Sequence, residues 1–375
     1  MIPEASQMKM ENTFSNKTPR ELGYRMPAEW CKHEAVWLAW PHDPETFTSG
    51  VEKVEEIYVQ IVKLIHKDEY VNLFVKDEGM KKKTTDLFEK RKIDLKRIRF
   101  FQFDYADVWF RDYGPIFVRN RNQELAMVCW IFNSWGEKYE ELLKDAQIPH
   151  VINHEIRLNC FEPGIVLEGG SIDVNGKGTL LTTEQCLLNK NRNPQLGKEK
   201  IEKFLRDYLG VNHIIWLRNG IAGDDTDGHI DDIARFVNPT TIVCAYEEDK
   251  DDENGEALRK NYEILLKSTD QDGKKLNIVK LPMPGKVGYN KKRLPASYTN
   301  FYIGNKTVLV PTFEHENDKL ALSILQKLFP KRKVIGVNCV DLICGLGAIH
   351  CISQQQPIAD YKPSSPNMKR ERFNS

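Results

Sequence analysis

An α/β fold is what this sequence predicts, on two observations. Short runs rich in β-branched and aromatic residues alternate with longer stretches whose apolar positions recur every three or four residues. Their order is strand, strand, helix, strand, repeated, rather than the strict βαβ alternation of a doubly wound sheet. Neither GxGxxG nor GxxxxGK[ST] opens a helix, so phosphate-cradling loops of those types are absent.

Residues 54–65 carry apolar side chains at 54, 57, 58, 61, 64 and 65, which form one face of a helix. The same period predicts helices over 198–209, 256–266 and 319–329. Strand-like runs fall at 71–75, 98–103, 115–119, 125–132, 179–183, 213–217, 241–246, 277–281, 300–305, 307–313 and 333–337. Asn175–Gly176 and Gly304–Asn305 sit between apolar runs and predict hairpin turns.

The chain has 375 residues, with 54 basic and 54 acidic side chains and 41% hydrophobic content. That is a globular composition with no charge excess pointing to nucleic acid. No apolar run approaches the ~20 residues needed to cross a bilayer. Residues 1–22 form a polar lead-in without the apolar centre of a signal peptide. Residues 23–357 read as one domain, and 358–375 as a polar, basic tail expected to be poorly ordered. A cytoplasmic location is the expectation. The acidic run 247–253 reads as a solvated loop or as the rim of a mouth. Eight dispersed cysteines without a CxxC pair argue against a disulfide framework. Most should be small buried hydrophobes, and one chemical.

Four segments set polar residues beside glycine in apolar surroundings: DVWFRDYGP (107–115), LEGGSIDV (167–174), DTDGHIDD (225–232) and CGLGAIHCISQQQP (344–357). Each alone has a structural reading. Arg111 and Asp112 can be an ion pair, Glu168 a cap, His229 a buried histidine and Cys351 a core cysteine. Together they admit two chemistries. His229 and Asp231 with Glu168 and Asp112 suffice for zinc, manganese or iron. Nine histidines and no HExxH weigh against a metal site. The same set suits a guanidinium, a planar cation that carboxylates grip through paired N–H groups. A thiolate attacks its central carbon and a histidine moves the protons. If the segment around Cys351 is a strand, the neighbouring His350 faces away.

These segments, with GYRMPAEW (23–30), WLAWPHD (37–43), FNSWG (132–136), CLLNKNRNP (186–194) and ASYTNFYI (296–303), resemble the agmatine-deiminating branch of the Porphyromonas-type peptidylarginine deiminase family. That family lies within the guanidino-modifying superfamily, and the resemblance runs from Gly23 to Pro357. It implies the pentein fold, a five-bladed α/β propeller of ββαβ units around a central site. It implies hydrolysis of agmatine to N-carbamoylputrescine and ammonia through a covalent thiouronium on cysteine, with no cofactor and no metal, in a homodimer. Carried over, Cys351 is the nucleophile and His229 the general acid/base. Asp231 and Asp112 hold the guanidinium, Glu168 orients the histidine and substrate, Trp109 lines the channel, and Asp225 stands near the far amine. Two positions depart from the family pattern: Leu346 replaces a glycine before the cysteine, and Phe47 replaces a tryptophan. Deimination of arginine, peptidyl-arginine or another guanidino compound is the alternative, with Arg235 and Arg293 as spare carboxylate partners. Amidinotransfer, a non-catalytic binding protein and a metallohydrolase follow.

Overall fold

Five times the chain lays down one antiparallel strand pair and then adds a parallel strand through a helical crossover. The structure is a computed structural model and describes residues 17–359. Most of the lead-in (1–16) and of the tail (360–375) lies outside the described residues. Arg20 and Leu22 are inside them. The Arg20 N–H donates to the Asp207 carbonyl at 2.9 Å and Leu22 packs on the core, so the folded body begins before residue 23.

Strands β1 (His33–Ala39), β2 (Tyr70–Val75) and β3 (Ile98–Gln102) run parallel. β4 (Ile116–Arg119), β5 (Leu125–Val128) and β6 (Asn159–Phe161) form the next sheet, then β7 (Asp173–Val174), β8 (Thr179–Thr183) and β9 (His213–Leu217). β10 (Ala234–Asn238), β11 (Thr241–Tyr246) and β12 (Asn277–Pro282) form the fourth. A small hairpin, β13 (Gly288–Tyr289) and β14 (Lys292–Arg293), precedes β15 (Tyr302–Ile303), β16 (Thr307–Thr312) and β17 (Lys333–Asn338). The last strand, β18 (Gln354–Pro357), returns to pair antiparallel with β1 and completes the first unit. In the other four units the first two strands are antiparallel and the second and third parallel. Asn175–Gly176 and Gly304–Asn305 stand at hairpin turns as expected.

Each crossover helix buries one stripe. Val51–Ile65 puts Val54, Tyr58, Ile61, Val62 and Ile65 into the core. Lys198–Leu209 buries Ile201, Leu205 and Leu209 and ends at Gly210, whose φ of 66° is left-handed, the usual glycine stop. Burying such side chains contributes roughly 1.5–3 kcal/mol each. The helices Gly255–Lys267 and Asn317–Leu328 match the remaining two expectations.

The helix Glu78–Lys90 escapes the sequence reading because its stripe is thin. Only Thr84 and Phe88 are buried, while Asp77 caps its start by accepting from the Met80 N–H at 2.7 Å. The acidic run is mostly exposed, but Asp252 is buried against Arg293 at 2.8 Å. The cysteine expectation needs one correction. Cys129, just after β5, and Cys160 of β6 come together as a disulfide, a pair that no sequence spacing announces. Among the described residues no helix is long and apolar enough to cross a membrane.

Candidate active site

The segment after β3 turns into a short helix, Phe110–Tyr113. Asp107 fixes its entry: one oxygen accepts from the Val108 N–H at 2.8 Å, the other from Trp109 Nε1 at 2.9 Å and Thr46 Oγ1 at 2.7 Å. On this turn Arg111 and Asp112 part company, so they are not an ion pair. Arg111 reaches Gln354 and Gln355 at 2.5 and 2.7 Å, and its backbone N–H donates to the Cys351 carbonyl at 3.0 Å. Asp112 faces the other way and accepts from Trp135 Nε1 at 2.9 Å and the Gly170 N–H at 3.0 Å.

The double glycine after Glu168 permits close approach. A Cβ on Gly169 would lie 2.2 Å from the Arg111 carbonyl, and one on Gly170 would lie 2.5 Å from His229 Nδ1. Glu168 is buried, with one oxygen 2.6 Å from Arg192 Nε. Arg192 also pairs with Asp227 at 2.6 Å, which stitches the Glu168 turn to the histidine loop. In that loop Asp224 accepts from the Thr226 and Gly228 N–H groups, both at 2.7 Å. Asp224 and Asp227 therefore shape the loop. The turn Ile230–Asp232 then carries Asp231 and Asp232 inward.

Leu346 adopts the left-handed conformation at φ 73°, so its backbone takes the geometry that favours glycine at a cost of about 1–2 kcal/mol. Gly347 fits under the Trp109 ring, where a Cβ would come within 2.3 Å. Cys351 follows on a turn, not a strand; β18 begins only at Gln354. The strand argument that turned His350 away therefore fails, and His350 Nδ1 lies 2.7 Å from Asp231. The Cys351 sulfur lies 3.8 Å from Asp231 Oδ2 and accepts from Asn300 Nδ2 at 3.0 Å.

These elements enclose a cavity of about 300 Å³, the lower end of small-ligand sites. Cys351, Asp112, Trp109 and Asp225 line it. His229, Asp231 and Glu168 lie behind the wall, fully buried. His229 Nδ1 is 3.7 Å from Asp112, and Glu168 is within 4.8 Å of the imidazole. Asp225 sits at the rim, held by Lys138 and by the Tyr139 hydroxyl. Leu346, Leu142, Trp135 and Tyr139 supply apolar wall. Phe47 packs on Trp109, ring centroids 6.2 Å apart. Arg235 is paired with Glu29 and Asp173, Arg293 with Asp252, and neither lines the cavity.

The site is over-supplied with acceptors. Asp231 Oδ1 and Glu168 Oε2 have no hydrogen-bond partner among the described residues, and neither do the two nitrogens of His229, which are donors when the ring is protonated. Burial, with Asp231 and Glu168 nearby, pushes the Asp112 carboxyl up to about 6. Burial and the Asp231 charge push Asp232 far higher. Burial opposes the charged form of His229, but Asp112, Cys186 and Glu168 outweigh it and hold the imidazole protonated well above its ordinary range. Burial and the carboxylates of Asp231, Asp232 and Asp112 raise the Cys351 thiol far above its usual value.

Two trios, Glu168–Cys186–His229 and Asp231–Asp232–Cys351, offer metal-type ligand atoms within 4.8 Å of one another. The first holds a protonated imidazole beside the Arg192 guanidinium, and the second a carboxyl driven neutral. A metal ion at either would have to displace those protons, because metal ligands are deprotonated. Sequence reasoning missed Asn300, Trp135, Arg192, Cys186 and Glu29. All five stand in mixed segments that carry the resemblance and gave no chemical signal singly.

The family model for Porphyromonas-type peptidyl-arginine deiminase matches residues 25–357. The agmatine deiminase of Pseudomonas aeruginosa is 37% identical over 363 residues, covering 91% of this chain and 97% of that protein. That of Pseudomonas syringae is 37% identical over 368 residues, covering 92% and 98%. Among solved structures, the agmatine deiminase of Enterococcus faecalis superposes with a TM-score of 0.85 at 36% identity, covering 92% of this chain and 98% of that one. The C. jejuni agmatine deiminase gives 0.78 at 32%, covering 93% and 99%. The chain belongs to the Porphyromonas-type peptidyl-arginine deiminase family.

Proposed function

We propose that this protein is an agmatine deiminase, hydrolysing agmatine to N-carbamoylputrescine and ammonia. The observation that carries the substrate is the cavity wall. Six carboxylates line it (Asp43, Glu45, Asp107, Asp112, Glu141 and Asp225) and no lysine or arginine. A linear dication is complementary to that wall, whereas the α-carboxylate of arginine would meet repulsion there, the nearby Lys138 being already paired with Asp225 and Asp227.

In this reading Asp112 and Asp231 grip the guanidinium through paired N–H bonds, with Glu168 beside them, and Trp109 shields it from water. The bound cation favours loss of the Cys351 proton to solvent. The thiolate attacks the central carbon, giving a neutral tetrahedral adduct. The His229 imidazolium donates its proton to the departing nitrogen, the C–N bond breaks, and ammonia leaves a cationic S-alkyl thiouronium. A water then attacks and gives a proton to the now neutral His229. The C–S bond breaks, the thiolate returns, and the hydroxyl proton departs to leave the ureido product. The net release is ammonium. These steps draw on no metal or cofactor. Asp225 and Glu141 would receive the far amine at the rim.

The five repeated sheets support a five-bladed propeller with this cavity at its centre. A homodimer and a cytoplasmic location are proposed on the family resemblance, the first open to light scattering.

A panel of agmatine, free arginine and a peptidyl-arginine, each assayed for ammonia and ureido product, tests the proposal. Agmatine is expected to be preferred by kcat/KM, and acid quenching to trap a Cys351 adduct. Preference for arginine would overturn the substrate assignment. Full activity in Cys351→Ala would overturn the mechanism. A new guanidine formed on an added amine would mark amidinotransfer instead.

A further inference from the structure

His350 is held from both sides, and the chemistry above does not use it. Its Nδ1 lies 2.7 Å from Asp231 Oδ2 and its Nε2 lies 2.8 Å from Glu29 Oε2. All three side chains are buried. A neutral imidazole has one N–H and one lone pair. Between two ionised carboxylates it would set its lone pair against an oxygen on one side. An imidazolium satisfies both contacts with charge-assisted bonds.

Glu29 is itself anchored. Its Oε2 accepts from Arg235 Nη2 at 2.5 Å and its Oε1 from the Ile303 N–H at 2.7 Å. Arg235 continues to Asp173 at 3.1 Å and to the Phe301 carbonyl at 3.0 Å. Arg111 lies 4.0 Å from Glu29 and donates to the His350 carbonyl at 3.3 Å. The groups facing His350 are thus Glu29 and Asp231 directly, Arg111, Arg235 and Asp173 behind Glu29, and Cys351 and Asp232 beyond Asp231. Burial works against ionising both carboxyls, yet Arg235 and His350 hold Glu29 low, and His350 holds Asp231 low. A buried row of alternating charge therefore runs from Asp173 to the cavity wall and ends on Asp231. There Oδ2 is taken by His350, and Oδ1 has no partner among the described residues.

We propose that His350 is a positioning residue. As an imidazolium clamped between Glu29 and Asp231, it ties down one oxygen of Asp231 so that the other is presented to the cationic head of the substrate. Without it, Asp231 would face Asp112, Asp232 and Cys351 with only the more distant His229 and Arg235 as cations, and would take up a proton or turn. The identity of that head rests on the function proposed above; the clamp does not.

The experiment has two arms. In the first, wild-type protein labelled with ¹⁵N-histidine is examined by NMR under the assay conditions. Both ring nitrogens of His350 are expected to carry a proton hydrogen-bonded to a carboxylate. A bare ring nitrogen would overturn the proposal without reference to any substrate. In the second arm, Glu29→Gln, which removes a charge that never touches substrate, is compared with His350→Gln and with the conservative Glu29→Asp. Each is first checked for native melting. Glu29→Gln and His350→Gln are expected to lower kcat/KM by on the order of ten- to a hundredfold, chiefly through KM, and to move its acid limb to higher pH. Glu29→Asp should keep the limb in place. Unmoved acid limbs in folded Gln variants would reduce His350 to a structural residue. If wild-type protein leaves agmatine untouched while the doubly protonated ring persists, the function falls and the clamp stands.

Discussion

Asn300 grips Cys351 at both ends. Its Nδ2 donates to the sulfur at 3.0 Å, and its Oδ1 accepts from the backbone N–H of Cys351 at 3.3 Å and of His350 at 2.9 Å. The same Nδ2 lies 3.0 Å from Asp232. Around a sulfur otherwise faced by carboxylates, this amide is the donor on which a thiolate can lean. Replacing Asn300 with Ala should slow alkylation of Cys351 by iodoacetamide at fixed pH and lower kcat roughly tenfold. Asn300→Asp should do worse than Ala, because it adds a carboxyl where a donor stood. Equal alkylation rates in the three proteins would contradict this role.

The Asp112 carboxyl carries a pH signature. Burial, Asp231 and Glu168 raise it from its ordinary 3.8 to about 6. A carboxyl raised in the folded state favours the native protein when protonated. Its contribution is whole below 3.8 and is lost as pH rises through 6. Asp112→Asn should therefore melt higher relative to wild type at pH 8 than at pH 4, while agmatine turnover falls at every pH. In the wild type, KM should rise as pH falls through 6 and the clamp protonates. Melting scans at both pH values, with a KM profile, check both signs.

Arg192 joins Glu168 and Asp227, and both its contacts are 2.6 Å. Truncation to Ala strands the fully buried Glu168. Breaking one side of a buried pair costs about 3–5 kcal/mol, so urea denaturation should show a loss of that order. Arg192→Met with Glu168→Gln should recover part of the stability but not the activity. No stability loss in the single variant would mean that Glu168 finds another partner.

Leu346 takes a left-handed backbone at the cavity wall. Leu346→Gly should relieve about 1–2 kcal/mol of strain and widen the passage. Bulkier guanidines such as arginine amide should gain in kcat/KM relative to agmatine. An unchanged ratio would show that Leu346 does not shape selection.

How far these features could be read ahead depends on what each residue answers to. The helix Lys198–Leu209 and the strand Thr179–Thr183 were legible to the residue because burial alone writes their pattern. β18 was not: its residues are Gln354, Gln355, Gln356 and Pro357, with no apolar alternation. Gln354 and Gln355 are polar because they hold the Arg111 guanidinium. Asp112, Glu168, His229, Asp231 and Cys351 stood out in their own segments, while their separate roles, with Trp109 and Asp225, came only through the resemblance; the cavity gathers four of the seven with three behind its wall. Glu29 stayed hidden because its partners, Arg235 and His350, are 206 and 321 residues away in the chain. The strand assumed around His350 is a turn, which lets its imidazole reach Asp231 without lining the cavity.

The surplus of buried acceptors has a practical consequence for anyone unfolding this protein. Guanidinium chloride delivers the cation that Asp112, Asp231 and Glu168 are proposed to receive. Its first additions should occupy the native state and inhibit it before they dissolve it, since a ligand that favours the folded form adds to its stability. Urea carries no such charge. The two denaturants should then disagree at low concentration, with a native baseline prolonged in guanidinium alone. Their difference would report the affinity of the pocket for a bare guanidinium head.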